Sequence, residues 1–218
     1  MNERNLKDLL YQEFARIGKS LSSPKRLEIL DLLSQGPKSV EVLSKITTMS
    51  VANVSQHLQT LNNARMVKYR KEGNYVIYEL ADVSISDFIN SLHNLSEKQF
   101  AQVQQIKQEF LNANMGMAGV SFEELNKRME KGEVLLLDVR PKEEYENGHI
   151  PGAVSIPVEE LEEKLSSLPA NQDVVAYCRG PYCLMSVEAV ELLKSKGIHA
   201  YRFEKSVQDW NEFQNQLN

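Results

Sequence analysis

Residues 112–119, Asn112-Ala-Asn-Met-Gly-Met-Ala-Gly119, hold two Gly, two Asn and no charged side chain, and the hydrophobic period differs on either side of them. Such a stretch has neither the apolar face of a helix nor the alternation of a strand, so it reads as a linker between two separately folding parts. The length of 218 residues suits that division, since a domain usually takes ~100 to 150. The expected boundaries are a first domain over 1–112, a linker over 113–119 and a second domain over 120–218.

The two parts differ in charge. Residues 1–115 carry 14 Lys and Arg against 12 Asp and Glu, a net of +2; residues 116–218 carry 11 against 18, a net of -7. The acidic part is a poor partner for nucleic acid, and the first part qualifies only if its cations gather on one face. No run approaches the ~18 apolar residues of a membrane span, and charges stand in the opening MNERNLKDLL where a signal peptide has its apolar core. A cytoplasmic protein with no membrane association is expected. In that compartment the two Cys read as thiols with chemistry rather than as a structural staple.

The first part is helical with one interruption. Leu6, Leu9, Leu10, Phe14, Ile17 and Leu21 keep helical spacing; Ser23-Pro24 opens a second helix and Gly36-Pro37 stops it. Ser39 to Ile46 is a short third helix, Thr47 to Met49 a turn, and Ser50 the N-cap of a fourth helix running to about Asn62. Val67 and Tyr69, then Glu72-Gly73-Asn74, then Val76, Tyr78 and Leu80 read as a β-hairpin. From Ser84, Ile85, Phe88, Ile89, Leu92, Leu95, Phe100, Val103, Ile106 and Phe110 mark a long helix or a helix pair. Two short helices joined by a tight turn and followed by a hairpin are the order of a winged helix-turn-helix. The fourth helix then offers Ser50, Asn53, Ser55, Gln56, His57, Gln59 and Thr60 to base edges and phosphates, and the hairpin offers Lys68, Arg70, Lys71 and Asn74 to the backbone.

The run from Val51 to Leu80, with its Ser-x-His-Leu-x-x-Leu core and a wing ending in Tyr-x-Leu, resembles the ArsR/SmtB family of winged-helix repressors. The resemblance covers residues 10–95 and implies a homodimer paired through its first and last helices, bound to palindromic double-stranded operator DNA and released by an effector. Arg65 stands where Gly is usual. Many such proteins sense metals, but residues 1–115 contain no Cys, and Asp82 is followed by Ser84 where a His is wanted. A lone Asp82 and a lone His93 do not make a zinc or nickel site. Neither a metal nor a cofactor is expected, and the signal input is sought in the second part.

There, strands and helices alternate. Ser121 to Glu124 is a capping box, Val134 to Asp138 a buried strand, Val158 to Leu168 an acidic amphipathic helix, Asp173 to Tyr177 a second buried strand, Met185 to Lys196 a helix closed by Gly197, and His199 to Phe203 a further strand. This is an α/β layered domain with a parallel sheet. Cys178-Arg-Gly-Pro-Tyr-Cys183 joins a strand to a helix, the position where open α/β sheets place their sites. Backbone amides and a helix N-terminus there favour a thiolate, and Arg179 is expected to add positive charge.

That loop, with Leu137-Asp138-Val-Arg140, Glu144-Tyr145, Gly148-His-Ile-Pro-Gly-Ala153, Ile156-Pro157 and the late Trp210, resembles rhodanese, the sulfurtransferase domain. The resemblance implies that Cys178, in the loop of Arg179, Gly180, Pro181, Tyr182 and Cys183, takes sulfur from thiosulfate or polysulfide as a persulfide and passes it on. Asp138, Arg140 and His149 read as braces for the loop. Leu184 stands where a phosphatase has its phosphate-binding Arg. Cys183 either attacks a Cys178 persulfide or only packs under the loop, two readings the sequence leaves open. The whole chain resembles fusions of the two domain types. The expected function is a regulator that senses or processes reactive sulfur at Cys178. The alternative is a sulfurtransferase whose DNA-binding domain autoregulates its operon independently of sulfur; an arsenite or metal sensor using the thiolates of Cys178 and Cys183 is a weaker third.

Overall fold

The computed structural model describes residues 3–112, 121–169 and 172–217. It divides into two compact units, Met1–Gln99 and Phe100–Asn218. The expected linker at 113–119 lies outside the described residues.

The first unit opens with α1 (Glu3–Leu21) and α2 (Pro24–Ser34). Ser23 holds the N-cap position with Pro24 at the first turn, though its hydroxyl makes no capping bond. A two-residue strand β1 (Lys38–Ser39) leads into α3 (Val40–Thr47), capped by Ser39 Oγ accepting from the Val42 amide at 3.2 Å. Thr48 closes α3 in the left-handed region, φ 54°, and α4 (Val51–Asn63) follows. The hairpin is β2 (Val67–Glu72) and β3 (Tyr75–Leu80), turning on Gly73 at φ 58°, and α5 (Val83–Gln99) completes the unit. β1 joins the hairpin antiparallel, Lys38 opposite Tyr78, giving the order β1-β3-β2. The core is the inner face of α2 to α5: Ile29, Leu30, Leu43, Val54, Leu58 and Leu61 are wholly buried. Of the α1 stripe only Leu21 is buried. Leu6, Leu9, Leu10, Phe14 and Ile17 stay exposed.

In the second unit, α6 (Ala101–Asn112) and α7 (Phe122–Glu130) precede β4 (Val134–Asp138), then come α8 (Lys142–Asn147), β5 (Val154–Ser155), β6 (Asp173–Tyr177), α9 (Met185–Ser195), β7 (Ala200–Phe203) and α10 (Val207–Leu217). The four strands are parallel in the order β5-β4-β6-β7. Alternate residues of each strand feed two cores, as the period of a strand requires. Leu136, Val175, Tyr177 and Phe203 meet Phe122 and Leu125 of α7 and Trp210 of α10 on one face, while Leu137, Val174, Ala176 and Ala200 meet Ala189, Val190 and Leu193 of α9 on the other. Ser121 caps α7 by accepting from the Glu124 amide at 3.2 Å.

One element differs from the sequence reading. Val158 to Leu168 is not a helix but two 3-10 turns, Val158–Glu160 and Leu165–Ser167. Glu159, Glu160, Glu162 and Glu163 crowd like charges three and four residues apart, and the segment is too short to be helical on propensity alone. Tertiary contacts decide its shape: Leu161 is wholly buried, Val158, Leu165 and Leu168 pack beside it, and Glu160 pairs with both Lys142 and Lys164 at 2.8 and 2.6 Å. Those two lysines hold Glu160 below the usual carboxylate range.

Candidate functional site

Two regions carry chemistry, one in each unit. In the first, burying Val54, Leu58 and Leu61 turns the opposite side of α4 outward. Asn53, Gln56 and Gln59 are exposed there, and Ser55, His57 and Thr60 are half-buried. Two hydroxyls also bond the helix: Ser50 Oγ accepts from the Asn53 amide at 3.3 Å and keeps its hydrogen to donate, whereas Thr60 Oγ1 donates its own to the Gln56 carbonyl at 3.0 Å. The end of α4 is held from outside, Arg16 of α1 donating to the Asn63 carbonyl at 3.0 Å.

The turn after α4 accounts for the unusual Arg65. Its amide donates to the Asn62 carbonyl and the Met66 amide to the Leu61 carbonyl, each at 2.9 Å, the pair of bonds that closes a helix through a left-handed residue. Arg65 is that residue, φ 57°, a conformation unfavourable for a side chain with Cβ. Arg65→Gly is expected to raise the first unit's stability by about 0.5–1 kcal/mol. A urea midpoint unchanged or lowered in the variant would refute the assignment.

On the wing, Lys68, Arg70, Lys71 and Asn74 are all exposed. Acidic neighbours, not recognised in the sequence reading, offset part of this charge. Arg70 pairs with Glu72 at 2.7 Å and with Glu79 at 3.5 Å, and Lys68 lies 3.6 Å from Glu79. Exposed pairs of this kind hold by less than about 1 kcal/mol, so phosphates can displace the carboxylates. Asp82, considered above as a metal ligand, instead caps α5, its Oδ1 accepting from the Ser84 amide at 2.9 Å. Hydrogen bonds from Ser84 hold its carboxyl below the usual range. Among the described residues no group of three His, Cys, Asp or Glu is placed to hold a metal ion.

In the second unit the loop 178–184 leaves the carboxyl end of β6 and enters α9. The structure brings its two sulfurs together: Cys178 and Cys183 form a disulfide, with their Cα atoms 6.3 Å apart. Cys178 is wholly buried, Cys183 half-buried, and the flanking Tyr182 and Leu184 are 45% and 59% exposed. Gly180, φ 113°, supplies a backbone that side chains resist, and its carbonyl accepts from the Cys183 amide at 3.3 Å.

Arg179, expected to add positive charge beside the sulfur, is paired with a carboxylate. Its guanidinium makes two bonds to the buried Glu144 carboxylate, at 2.6 and 3.0 Å, and so fastens the start of the loop to α8. The buried cation behind the loop is Arg202 of β7, which the sequence reading missed. Its Nε donates to Ser186 Oγ at 3.0 Å, and its Nη2 donates to the carbonyls of Gly180 (3.2 Å) and Pro181. Ser186 Oγ lies 3.2 Å from Cys178 Sγ. Burial pushes Arg202 below its ordinary value, opposed by the charge of Glu204. An Arg at strand spacing reads as an outward residue, so no sequence signal announced it.

Beneath the loop, the Arg140 guanidinium forks onto the wholly buried Asp138, with Nη2 to Oδ2 at 2.6 Å and Nε to Oδ1 at 3.0 Å, and donates to the Gly148 carbonyl at 2.8 Å. Burial opposes the Arg140 charge, but the bonds and charge of Asp138 outweigh it and hold the guanidinium above its ordinary value. Tyr177 Oη donates to Asp138 at 2.6 Å and accepts from the Ile150 amide at 3.1 Å. His149 is exposed and stacks on Tyr145, ring centroids 3.8 Å apart. Burial first, then the charge of Asp138, raises the Tyr177 hydroxyl well above its usual value. A raised folded-state value adds stability that is complete below the unfolded pKa of about 10 and is lost as the pH climbs beyond it. The second unit, followed by Trp210 fluorescence, is therefore expected to weaken above pH ~10 more steeply in the wild type than in Tyr177→Phe. Equal slopes would contradict this.

Known proteins resemble both units. Residues 121–213 match the family described as Rhodanese-like domain, and residues 23–69 match the one described as Bacterial regulatory protein, arsR family. The HTH-type transcriptional regulator Rv0324 of Mycobacterium tuberculosis is 37% identical over 204 residues, 94% of this chain and 89% of that protein. The arsenical resistance operon repressor of Staphylococcus aureus is 37% identical over 83 residues, 38% of this chain and 80% of that one. Among solved structures, the homodimeric winged helix-turn-helix DNA-binding domain Mb0332 of Mycobacterium bovis is 30% identical, covers 47% of this chain and 93% of its own, and aligns with a TM-score of 0.43. The likeness to Rv0324 runs across both units, and the chain therefore belongs to the ArsR family of HTH-type transcriptional regulators, in a form that carries a C-terminal rhodanese domain.

Proposed function

We propose that this regulator binds operator DNA as a homodimer through α4 and the wing, and that reactive sulfur at Cys178 and Cys183 changes its affinity. The observation that carries the proposal is the pairing of those two sulfurs within one loop. In a cytoplasm that keeps thiols reduced, such a pair is a transient state rather than a staple. The dimer is supported by the exposed stripe of Leu6, Leu10, Phe14 and Ile17 on α1 with Phe88 and Leu95 on α5, apolar surface that a lone chain leaves in water.

The chemistry balances. A Cys178 thiolate attacks a sulfur of a polysulfide, the shortened polysulfide leaves with the electron pair, and a persulfide remains on Cys178. The Cys183 thiolate then attacks Cys178 Sγ, the bond to the outer sulfur breaks, and hydrosulfide departs, leaving the disulfide. With Cys178 wholly buried in that state, repeated sulfur transfer is blocked until a thiol reduces it. This favours a sensing role over a turnover enzyme.

A reporter gene behind the protein's own upstream DNA tests the reading in cells. Polysulfide is expected to change expression with the wild type and to leave it unchanged with Cys178→Ser. A wild-type reporter indifferent to polysulfide, alongside cyanide-dependent thiocyanate formation that Cys178→Ser abolishes, would replace the sensor by an enzyme.

A further inference from the structure

The two halves of the disulfide sit in unlike surroundings. Cys178 has no exposed surface, lies 3.2 Å from the Ser186 hydroxyl and stands at the start of the loop that α9 follows. Cys183 is half-buried between the exposed Tyr182 and Leu184. Thiol–disulfide exchange selects its direction by two such differences: the nucleophile attacks the sulfur it can reach, and the sulfur better stabilised as a thiolate leaves.

We infer that the Cys178–Cys183 bond is directional, with a small soluble thiol or hydrosulfide attacking Cys183 and Cys178 leaving as a thiolate backed by Ser186 and Arg202. Arg202 donates to Ser186 Oγ at 3.0 Å. That bond occupies a lone pair of the hydroxyl and leaves its hydrogen able to turn toward Cys178 Sγ or toward the Cys183 carbonyl, 3.3 Å away. When Cys178 becomes an anion the first choice wins, since a hydrogen bond to a charged acceptor is the stronger one. Ser186 and Arg202 are thus positioning residues that turn a buried arginine's charge onto the leaving sulfur. The other charged groups flanking the loop, Arg179 with Glu144 and Arg140 with Asp138, are each matched as a pair and add little net field, while Glu204, whose charge acts on Arg202, offsets part of the arginine's own.

In the first step an incoming thiolate bonds to Cys183 Sγ, the Cys178–Cys183 bond breaks, and its electron pair stays on Cys178. A second thiolate then attacks the outer sulfur of the mixed disulfide, releasing Cys183 as a thiolate and a small-molecule disulfide. Two electrons pass from the two thiols to the protein. Cys183 is therefore the sulfur through which the oxidised state is read and reset.

The inference rests on the sensing reading only in assuming that the disulfide forms and is reduced in use; its test does not involve DNA. Full-length Cys183→Ser and Cys178→Ser are titrated by thiolate absorbance at 240 nm, which needs no reagent access. Cys178 is expected to ionise at least about one pH unit below Cys183, a tenfold difference in acidity. Ser186→Ala in the Cys183→Ser background should raise the Cys178 value by about one unit, and Ser186→Thr, which keeps the hydroxyl, should restore it. Circular dichroism separates that shift from misfolding. Oxidised wild type exposed briefly to glutathione, acid-quenched and peptide-mapped should carry glutathione on Cys183. A Cys178 that ionises at or above Cys183, an Ala variant that folds without the shift, or glutathione on Cys178 overturns the direction. A regulator whose operator affinity ignores sulfur would leave these titrations as they are, so the two failures are distinct.

Discussion

Asp138→Ala should lower the stability of the second unit by about 3–5 kcal/mol, the largest single-residue effect expected in this protein. The reason lies in what the substitution leaves behind. Arg140, 1% exposed, would keep its charge without its carboxylate, and the Tyr177 hydroxyl would lose its acceptor. Breaking a buried pair costs more than the pair itself contributes, because the surviving ion is stranded away from water. A loss of this size is a large share of the roughly 5–15 kcal/mol that holds a domain together. The chain's single Trp, Trp210, is buried against Phe122 at 5.2 Å and reports this unit alone. Urea unfolding followed by its fluorescence should show the midpoint collapse in the full-length variant. An unchanged midpoint would mean that the Asp138 network is not what holds β4, β6 and the residues below the loop together.

Asn53→Ala and Gln56→Ala should each weaken binding to the operator by about 1–3 kcal/mol and weaken binding to random DNA much less. Both side chains project from the exposed face of α4, and a side-chain amide can pair in two places with adenine. Thr60 stands on the same helix but has given its hydroxyl hydrogen to the Gln56 carbonyl, so its loss should act through stability instead, and loss of Ser50 should cost stability as well because it caps the helix. Lys68 and Arg70 on the wing should behave differently again. Removing either should weaken all DNA alike and flatten the salt dependence, the behaviour of a phosphate contact. Equal losses on operator and random DNA for Gln56→Ala would rule out base readout by α4.

How much of this was legible beforehand depended on how local each signal is. The helices and hairpin of the first unit follow from patterns a few residues long. Ser50 capping α4 and Gly73 turning the wing are examples, and the structure places both as read. The acidic segment 158–168 misled because its apolar spacing suits a helix, while the contacts that shape it, Leu161 in the core and Lys142 on Glu160, come from elsewhere in the chain. In the cysteine loop, the motif marked Cys178 and Cys183 but could not bring their sulfurs together, a matter of loop geometry. Arg179 shows the same limit: a cation next to a cysteine in sequence turned to Glu144, 35 residues away, while Arg202, 24 residues downstream of Cys178, came to stand behind the loop. Side-chain partners across a parallel sheet are set by topology, which no short window contains.

On the proposed function, sulfur chemistry at Cys178 alters the grip of α4 and the wing on DNA. A ligand shifts such an equilibrium only through a difference in free energy between the two forms, so affinity is the quantity to measure. Fluorescence anisotropy of the reduced full-length protein on its own upstream DNA, at one fixed salt concentration, is taken before and after polysulfide. We expect the affinity to change at least about tenfold, or ~1.4 kcal/mol, and the change to vanish in Cys178→Ser. An affinity that stays the same while mass spectrometry shows Cys178 fully modified would contradict the account.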